Sequence, residues 1–129
     1  MREALERVIA PVRGRSRVWV YLGYADLAAM GAELATLPAN GLLVAGAHCA
    51  YEGLAAFAGA LPGDRIAGVG VLDVLDARVE TEDEVRARLA TVAKLIPRDR
   101  LWLVPDGGFR ALRPETARAK LAAMVAAAK

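Results

Sequence analysis

The sequence has few of the residues that tie small proteins together through covalent or metal bonds. It contains one cysteine, Cys49, and one histidine, His48, among 129 residues. A single cysteine excludes an internal disulfide, and a protein zinc site needs three or four nitrogen, sulfur or carboxylate ligands. We therefore expect a fold held by a hydrophobic core, without a bound metal.

Aromatic residues and long apolar runs are scarce as well. Only 5% of the residues are aromatic, and no apolar run approaches the ~20 residues of a membrane-spanning helix. The segment MREALERVIAPVRG lacks the apolar stretch of a secretory signal peptide. The net charge is +2, and the arginines are spread along the chain without a basic tract or patch. We expect a cytoplasmic protein that binds neither membrane nor nucleic acid.

Four short runs have the composition of buried strands. Their apolar residues are nearly continuous instead of alternating, which is typical of parallel strands covered on both faces. The runs are RVWVYL, GLLVA, IAGVGVL and LWLV, at residues 17–22, 41–45, 66–72 and 101–104.

Helical patterns alternate with these runs. Thr81 and Glu84 have the spacing of a capping box, which predicts that the fourth helix begins there and ends before Pro97. Pro114 suits the first turn of the fifth helix. Apolar residues at helical spacing predict the inward faces: Leu5, Val8, Ile9 and Val12; Leu27, Met30, Leu34 and Leu37; Leu54, Phe57, Ala58 and Leu61; Val85, Leu89, Val92 and Ile96; Leu121, Met124 and Val125.

The order of these elements, α-β-α-β-α-β-α-β-α, predicts one α/β domain over residues 1–129. Such alternation is built from βαβ units with right-handed crossovers. Two architectures fit: a four-stranded doubly wound sheet, or four consecutive units of a (βα)8 barrel. In both, functional residues are expected at the carboxyl ends of the strands.

Two acids and two glycines at those strand ends are candidate substrate-binding residues. Asp73 and Asp106 each follow an apolar run and could hold an amine or hydroxyl of a substrate. They could equally cap a helix or brace a turn. Gly107 and Gly108 could offer backbone N–H groups to an anion, although a plain turn is the simpler interpretation.

His48 and Cys49 follow the second run and complete the set of candidates. Neighbouring residues on an extended segment point to opposite sides, which disfavours both a shared metal and a catalytic thiol–imidazole pair. Ordinary loop residues at a strand end are the simpler interpretation.

The C-terminal half contains a more specific set of motifs. Residues 66–128 include GVGVLD at a strand end, VETEDEV at a helix start, IPRDRLWLVPDGG, and a closing AKLAAMVAAA. This set resembles the C-terminal end of cobalamin-independent methionine synthases, with a weaker likeness back to about residue 2. The resemblance implies the last four βα units of that family's catalytic barrel. It favours half of a (βα)8 barrel, with four parallel strands and five helices.

The resemblance also implies an activity and a metal site. The family transfers a methyl group from a folylpolyglutamate to the thiol of homocysteine, which a zinc ion binds as thiolate. The zinc ligands of the family are the His and Cys of a His-x-Cys, a Glu, and the Cys of Pro-Asp-Cys-Gly. A further His assists the chemistry. Here residues 16–28 contain no His or Cys, the Glu falls at Ala45 or Gly46, the Cys at Gly107 and the assisting His at Leu75. The comparison implies a chain without zinc.

A half-barrel would have two unpaired strand edges and an open interior. We expect a homo-oligomer that closes eight strands by two-fold symmetry, or a separate chain that supplies the other half; a flattened open sheet is a third arrangement. The favoured function is a degenerate relative that acts within such an assembly and could bind a small amino acid or thiol. The alternatives are a non-catalytic structural or regulatory subunit, and an enzyme of metal-independent chemistry, for which Arg110 is the nearest arginine.

Overall fold

The computed structural model describes residues 1–129, in which four strands alternate with five α-helices. The predicted α/β fold class, with four parallel strands and five helices, is confirmed. Short 3₁₀ turns occur at Ala10–Val12, Ala47–Cys49 and Arg98–Arg100. The elements are α1 (Arg2–Ile9), β1 (Trp19–Tyr21), α2 (Leu27–Ala35), β2 (Gly41–Val44), α3 (Leu54–Ala60), β3 (Ile66–Leu72), α4 (Glu82–Val92), β4 (Leu101–Pro105) and α5 (Pro114–Ala127).

The order of the strands distinguishes the two predicted architectures. The sheet runs β1-β2-β3-β4, and every neighbouring pair is parallel. A doubly wound sheet contains a point at which the strand order reverses, and this sheet has none. Right-handed crossovers in this order place α2, α3 and α4 on one face. The sheet is therefore a segment of a TIM-type barrel.

Two helices, α4 and α2, begin at residues whose side chains cap the first turn. The Thr81–Glu84 capping box is present: Glu84 N–H donates to Thr81 Oγ1 over 3.2 Å, and Thr81 N–H donates to Glu84 Oε2 over 2.7 Å. A hydrogen bond from Arg78 lowers the pKa of Glu84 to about 2. Asp26 caps α2 by accepting the N–H of Ala29 over 3.0 Å. These contacts satisfy N–H groups that the first helical turn leaves without partners.

The main core lies between the sheet and its helices. Alternate strand residues face the helices, and Leu42, Val44 and Val69 pack with Phe57 in one buried cluster. A smaller cluster lies near the carboxyl end of β3, where Val71, Leu72, Val85 and Ala127 meet. No helix of the structure has the length and apolar composition needed to cross a membrane.

Several residues predicted to face inward are exposed. Val8 is 74% exposed and Val125 is 55% exposed, and Val12, Met30 and Leu121 also lie at the surface. On α2, Gly31 faces α3 in place of Met30, because an added Cβ there would lie 3.2 Å from Gly53 O. On α5 the buried positions are Lys120 and Ala127, since the helix packs through its small residues and one lysine.

The last predicted turn of α4 is also absent, since the helix ends at Val92. The N–H groups of residues 94 and 95 donate to carbonyls three residues earlier, which tightens the helix end into turns. Ile96 is nonetheless buried, as its position in the apolar stripe predicts.

The other face of the sheet is filled by side chains from the two edge strands. The rings of Trp19 in β1 and Trp102 in β4 stack with centroids 4.3 Å apart. In a flat sheet these strands would be ~14 Å apart, at three strand spacings, so the sheet is curled. An added Cβ at Gly41 would overlap the Trp19 ring, and one at Gly68 would overlap Leu43. The interior expected to be open is thus partly closed by the chain itself.

We predict that Gly41→Ala destabilises the fold by about 1–3 kcal/mol, because overpacking forces the Trp19 ring out of its stack. Gly59→Ala in α3 is the matched control, since an added Cβ there meets nothing within 4 Å and alanine favours helix. Urea unfolding and the near-ultraviolet circular dichroism of the stacked tryptophans measure both effects. Equal unfolding midpoints for the two variants would contradict this account.

Candidate functional site

The buried carboxylate of Asp106 lies at the carboxyl end of the sheet. Its Oδ1 accepts the N–H groups of Gly46 and Ala47 over 2.9 and 3.0 Å. Its Oδ2 accepts the N–H of His48 over 2.8 Å and lies 3.2 Å from His48 Nδ1. The side chain is 0% exposed. Three backbone donors thus compensate a buried negative charge, which would otherwise be very unfavourable.

Asp106 also contacts the remaining strands through its backbone. Its N–H donates to Leu72 O in β3 over 2.9 Å, and its carbonyl accepts the hydroxyl of Tyr21 in β1 over 2.5 Å. Gly70 in β3 makes room for the carboxylate, since a Cβ there would overlap Oδ1. Asp106 therefore connects the ends of all four strands, which corresponds to the turn-bracing alternative predicted for it.

Two tyrosine hydroxyls lie beside Gly107. A Cβ added at Gly107 would lie 2.9 Å from the hydroxyl oxygen of Tyr21 and 3.4 Å from that of Tyr24. Burial, and then the negative charge of Asp106, raises the pKa of Tyr21; burial likewise raises the pKa of Tyr24. Both phenols are therefore protonated near neutral pH, and the Tyr21 hydroxyl donates to Asp106 O. The Tyr24 ring also packs edge-on against His48 at 4.7 Å.

The loop that follows β2 has a strained backbone. Ala50 and Tyr51 have φ values of +50° and +66°, which residues other than glycine rarely adopt. The Tyr51 ring lies over Gly46, where an added Cβ would be 2.8 Å from it. Cys49 is partly buried, and its Sγ donates to Gly46 O over 3.5 Å. Such strain persists only where surrounding contacts hold it. Here the Tyr51 N–H donates to Gly46 O over 3.0 Å, and the Gly46 N–H is in turn held by Asp106 Oδ1.

Asp73 lies in a separate set of contacts after β3. Its Oδ1 accepts the N–H of Leu75 over 2.9 Å, which is the local turn that Asp commonly forms. Its N–H donates to Glu80 Oε1, and its carbonyl accepts Lys120 Nζ, each over 2.9 Å. The predicted residues Asp106, His48 and Gly107 therefore lie together at the strand ends. Asp73 lies apart from them, because it forms hydrogen bonds only with its own loop and with Lys120 of α5.

A buried ion pair between Glu80 and Lys120 holds this loop, and sequence reasoning missed it. Lys120 Nζ lies 2.8 Å from Glu80 Oε2, and Arg88 Nη1 lies 3.2 Å from Glu80 Oε1. The two residues of the pair are 3% and 0% exposed. Burial by itself raises the pKa of Glu80, but hydrogen bonds from Lys120 and the Asp73 N–H lower it overall. The available signal was the spacing of Lys120, which lies four residues before Met124 and therefore on the same face of α5.

Comparison with known proteins identifies the scaffold. The family model described as "Cobalamin-independent synthase, Catalytic domain" matches residues 9–129. This chain belongs to the cobalamin-independent synthase family. A 5-methyltetrahydropteroyltriglutamate–homocysteine methyltransferase of Nitratidesulfovibrio vulgaris is 34% identical over 119 residues, which are 91% of this chain and 15% of that protein. A methionine synthase of Saccharolobus solfataricus is 35% identical over 66 residues, 51% of this chain and 20% of that protein.

Two solved structures share the fold at low identity. A B12-independent methionine synthase from Shewanella sp. W3-18-1, in complex with selenomethionine, aligns with a TM-score of 0.75 and 21% identity. The alignment covers 98% of this chain and 41% of that one. A putative vitamin-B12 independent methionine synthase from Listeria monocytogenes aligns with a TM-score of 0.71 and 15% identity. That alignment covers 97% of this chain and 38% of that one. The chain thus spans less than half the length of these synthases.

At the positions where the resemblance puts two of the family's zinc ligands, this chain has Gly107 in place of the cysteine and Ala45 or Gly46 in place of the glutamate. No group of three or more His, Cys, Asp and Glu side chains is arranged to hold a metal ion. The space beside Gly107, where the resemblance puts a cysteine, holds two protonated phenols. A side chain at Gly46 would meet the ring of Tyr51, and the Asp106 carboxylate already accepts three N–H groups.

We predict that Asp106→Asn lowers the free energy of unfolding by roughly 1–3 kcal/mol, because an amide nitrogen would face N–H donors and leave them unpaired. Asp99→Asn is the control, since Asp99 is exposed. Urea unfolding measures both. If the two variants unfold at the same urea concentration, the carboxylate does not hold the strand ends.

We predict that stability falls as the pH drops below about 4.5, the ordinary value for Glu80. The folded pKa of Glu80 is lowered, so its contribution is present above the unfolded pKa and is lost as the pH falls through the folded pKa. Glu84 also has a lowered pKa, and the variant Glu84→Gln removes its share. The free energy of unfolding of that variant, measured between pH 2 and 6, tests the Glu80–Lys120 ion pair. A free energy that does not change with pH would contradict a charged Glu80 paired with Lys120.

Proposed function

We propose that this chain is a zinc-free member of the family that performs no zinc-dependent methyl transfer and forms one part of a larger barrel. The arrangement around Gly107 supports the first half of this proposal. Tyr21 and Tyr24 hydroxyls occupy the space where a ligand side chain would project. Since Tyr21 is also bonded to Asp106 O, a cysteine at residue 107 would disrupt a contact between β1 and β4.

The groups that remain at the strand ends suit ligand binding better than proton transfer. The N–H groups of Gly107 and Gly108 make no backbone hydrogen bond. His48 contacts Asp106 through Nδ1, which leaves Nε2 for a ligand. The Tyr24 hydroxyl is a further donor. The Gly107 and Gly108 N–H groups and the Tyr24 hydroxyl could receive the carboxylate of a small amino acid, and His48 Nε2 could accept a hydrogen bond from its ammonium group. A small amino acid is the ligand class expected from the sequence.

The two edges of the sheet support the second half of the proposal. β1 pairs only with β2, and β4 pairs only with β3. Unpaired edges of a parallel sheet present rows of N–H and C=O groups that favour association. The solved synthases that share the fold are more than twice as long as this chain. A second copy, or a separate chain, would supply the strands that close the barrel.

We predict that the purified chain elutes free of zinc and larger than its monomer mass of 13.6 kDa. Light scattering with elemental analysis of the same peak measures both. A dimer supports closure by a second copy, and polydisperse aggregation supports a missing separate chain.

Two results would contradict this proposal. Stoichiometric zinc would overturn the loss of the metal site. A monodisperse monomer that unfolds cooperatively would show that the edges need no further strands. Titration of the same sample with homocysteine separates the alternatives at the strand ends: binding lost in Tyr24→Phe supports a ligand site, and no binding favours a purely structural subunit.

A further inference from the structure

A cavity lies at the amino-terminal end of the sheet, opposite the strand ends that meet at Asp106. Its volume is about 640 Å³, within the range of small-molecule sites. Residues from α1, from the segment 13–18 before β1, and from the loops before β2 and β3 line it. It shares no lining residue with the site at the carboxyl ends.

Five arginines line this cavity, and the fold gathers them from three parts of the chain. Glu6 and Asp64 are the only acids among the lining residues, which leaves an excess of three positive charges. That excess is larger than the net charge of +2 of the whole chain. The expectation that the arginines form no patch is therefore wrong. The five are Arg2, Arg13, Arg15, Arg17 and Arg65.

The arginines differ in whether their guanidinium groups have partners. Arg2 donates to the carbonyl and the hydroxyl of Thr36 over 2.5 and 2.6 Å. Arg65 Nε lies 3.3 Å from Asp64 Oδ1. The guanidinium groups of the three arginines of segment 13–17 donate to no group of the chain, so their positive charges are uncompensated.

The segment that presents these three arginines is hydrogen-bonded at both ends. Gly14 has a φ of +77°, and the N–H groups of residues 15 and 16 both donate to Val12 O over 3.0 Å. At the other end, Val18 N–H donates to Asn40 Oδ1 over 2.8 Å, and Asn40 N–H donates to Val18 O over 2.9 Å. The loop is therefore closed into a turn beside the cavity.

We propose that this cavity binds a compact polyanion that carries two or more phosphate groups. A guanidinium group matches two phosphate oxygens with parallel N–H donors, and three such groups are free here. Ser16 and Asn40 line the same space. Because Asn40 Oδ1 is already used, its amide N–H groups remain as donors. Few apolar side chains line the cavity, so charge provides its selectivity.

A tryptophan next to the cavity supplies a direct signal for binding. A smaller recess of about 130 Å³ shares Arg17, Asn40 and Asp64 with the cavity and is bounded by Trp19 and Ile66. A phosphate group bound by Arg17 would change the surroundings of the Trp19 ring. Trp19 fluorescence therefore reports occupancy without any assay of activity.

The test is titration of the full chain with sodium tripolyphosphate at low ionic strength, followed by tryptophan fluorescence and calorimetry. We expect saturable binding of one ion per chain that weakens with added salt. The variant Arg13→Gln/Arg15→Gln/Arg17→Gln is expected to bind at least ~10-fold more weakly, since each arginine contributes charge-assisted hydrogen bonds. Citrate, a polycarboxylate, is expected to bind more weakly than tripolyphosphate.

The matched control removes three exposed arginines from elsewhere. Arg98→Gln/Arg110→Gln/Arg118→Gln lowers the net charge equally and should keep the wild-type affinity. Absence of binding, equal loss in both triple variants, or tighter binding of citrate would overturn the proposal. Preferential binding of an RNA oligonucleotide, with affinity rising with its length, would replace it with a nucleic-acid surface. None of these outcomes depends on zinc or on an assay of activity.

Discussion

The contacts of Asp106 determine how the four strands end. Its carboxylate accepts three N–H groups from the loop after β2, its carbonyl accepts Tyr21 from β1, and its N–H donates to β3. Hydrophobic packing is non-directional, so the core alone does not specify where these loops lie. A buried charge does specify it, because any displacement leaves the carboxylate or its donors without partners. Gly70 supplies the space that this arrangement requires.

The two ends of the sheet use charged groups in opposite ways. At the carboxyl end, Asp106, Glu80 and Lys120 are buried and have partners within the chain, so their charges hold loops in place. At the amino end, the arginines of segment 13–17 have none. A barrel scaffold commonly carries its chemistry at the carboxyl end. Under our proposals, that end has lost its metal chemistry and the opposite end has gained an anion site.

Local sequence signals predicted most of the elements correctly. The Thr81–Glu84 capping box and the 66–72 strand match the structure, because a cap depends on residues three positions apart and a buried strand needs a continuous apolar run. The inward faces of the helices were less predictable. Lys120 is buried because Glu80, forty residues away in the chain, receives its charge. Gly31 replaces Met30 at a helix contact because α3 approaches too closely for a side chain.

The sequence by itself determined the α/β class, the order of the elements and the likeness to a synthase barrel, since periodicity, caps and motifs are local properties. It also placed Asp106 at a strand end. Only the tertiary structure decided that the Asp106 carboxylate accepts the N–H groups of residues 46–48. It also decided that two phenols lie beside Gly107 and that arginines from three segments line one cavity. Each of these depends on distances between residues far apart in the chain, which the curl and order of the sheet establish.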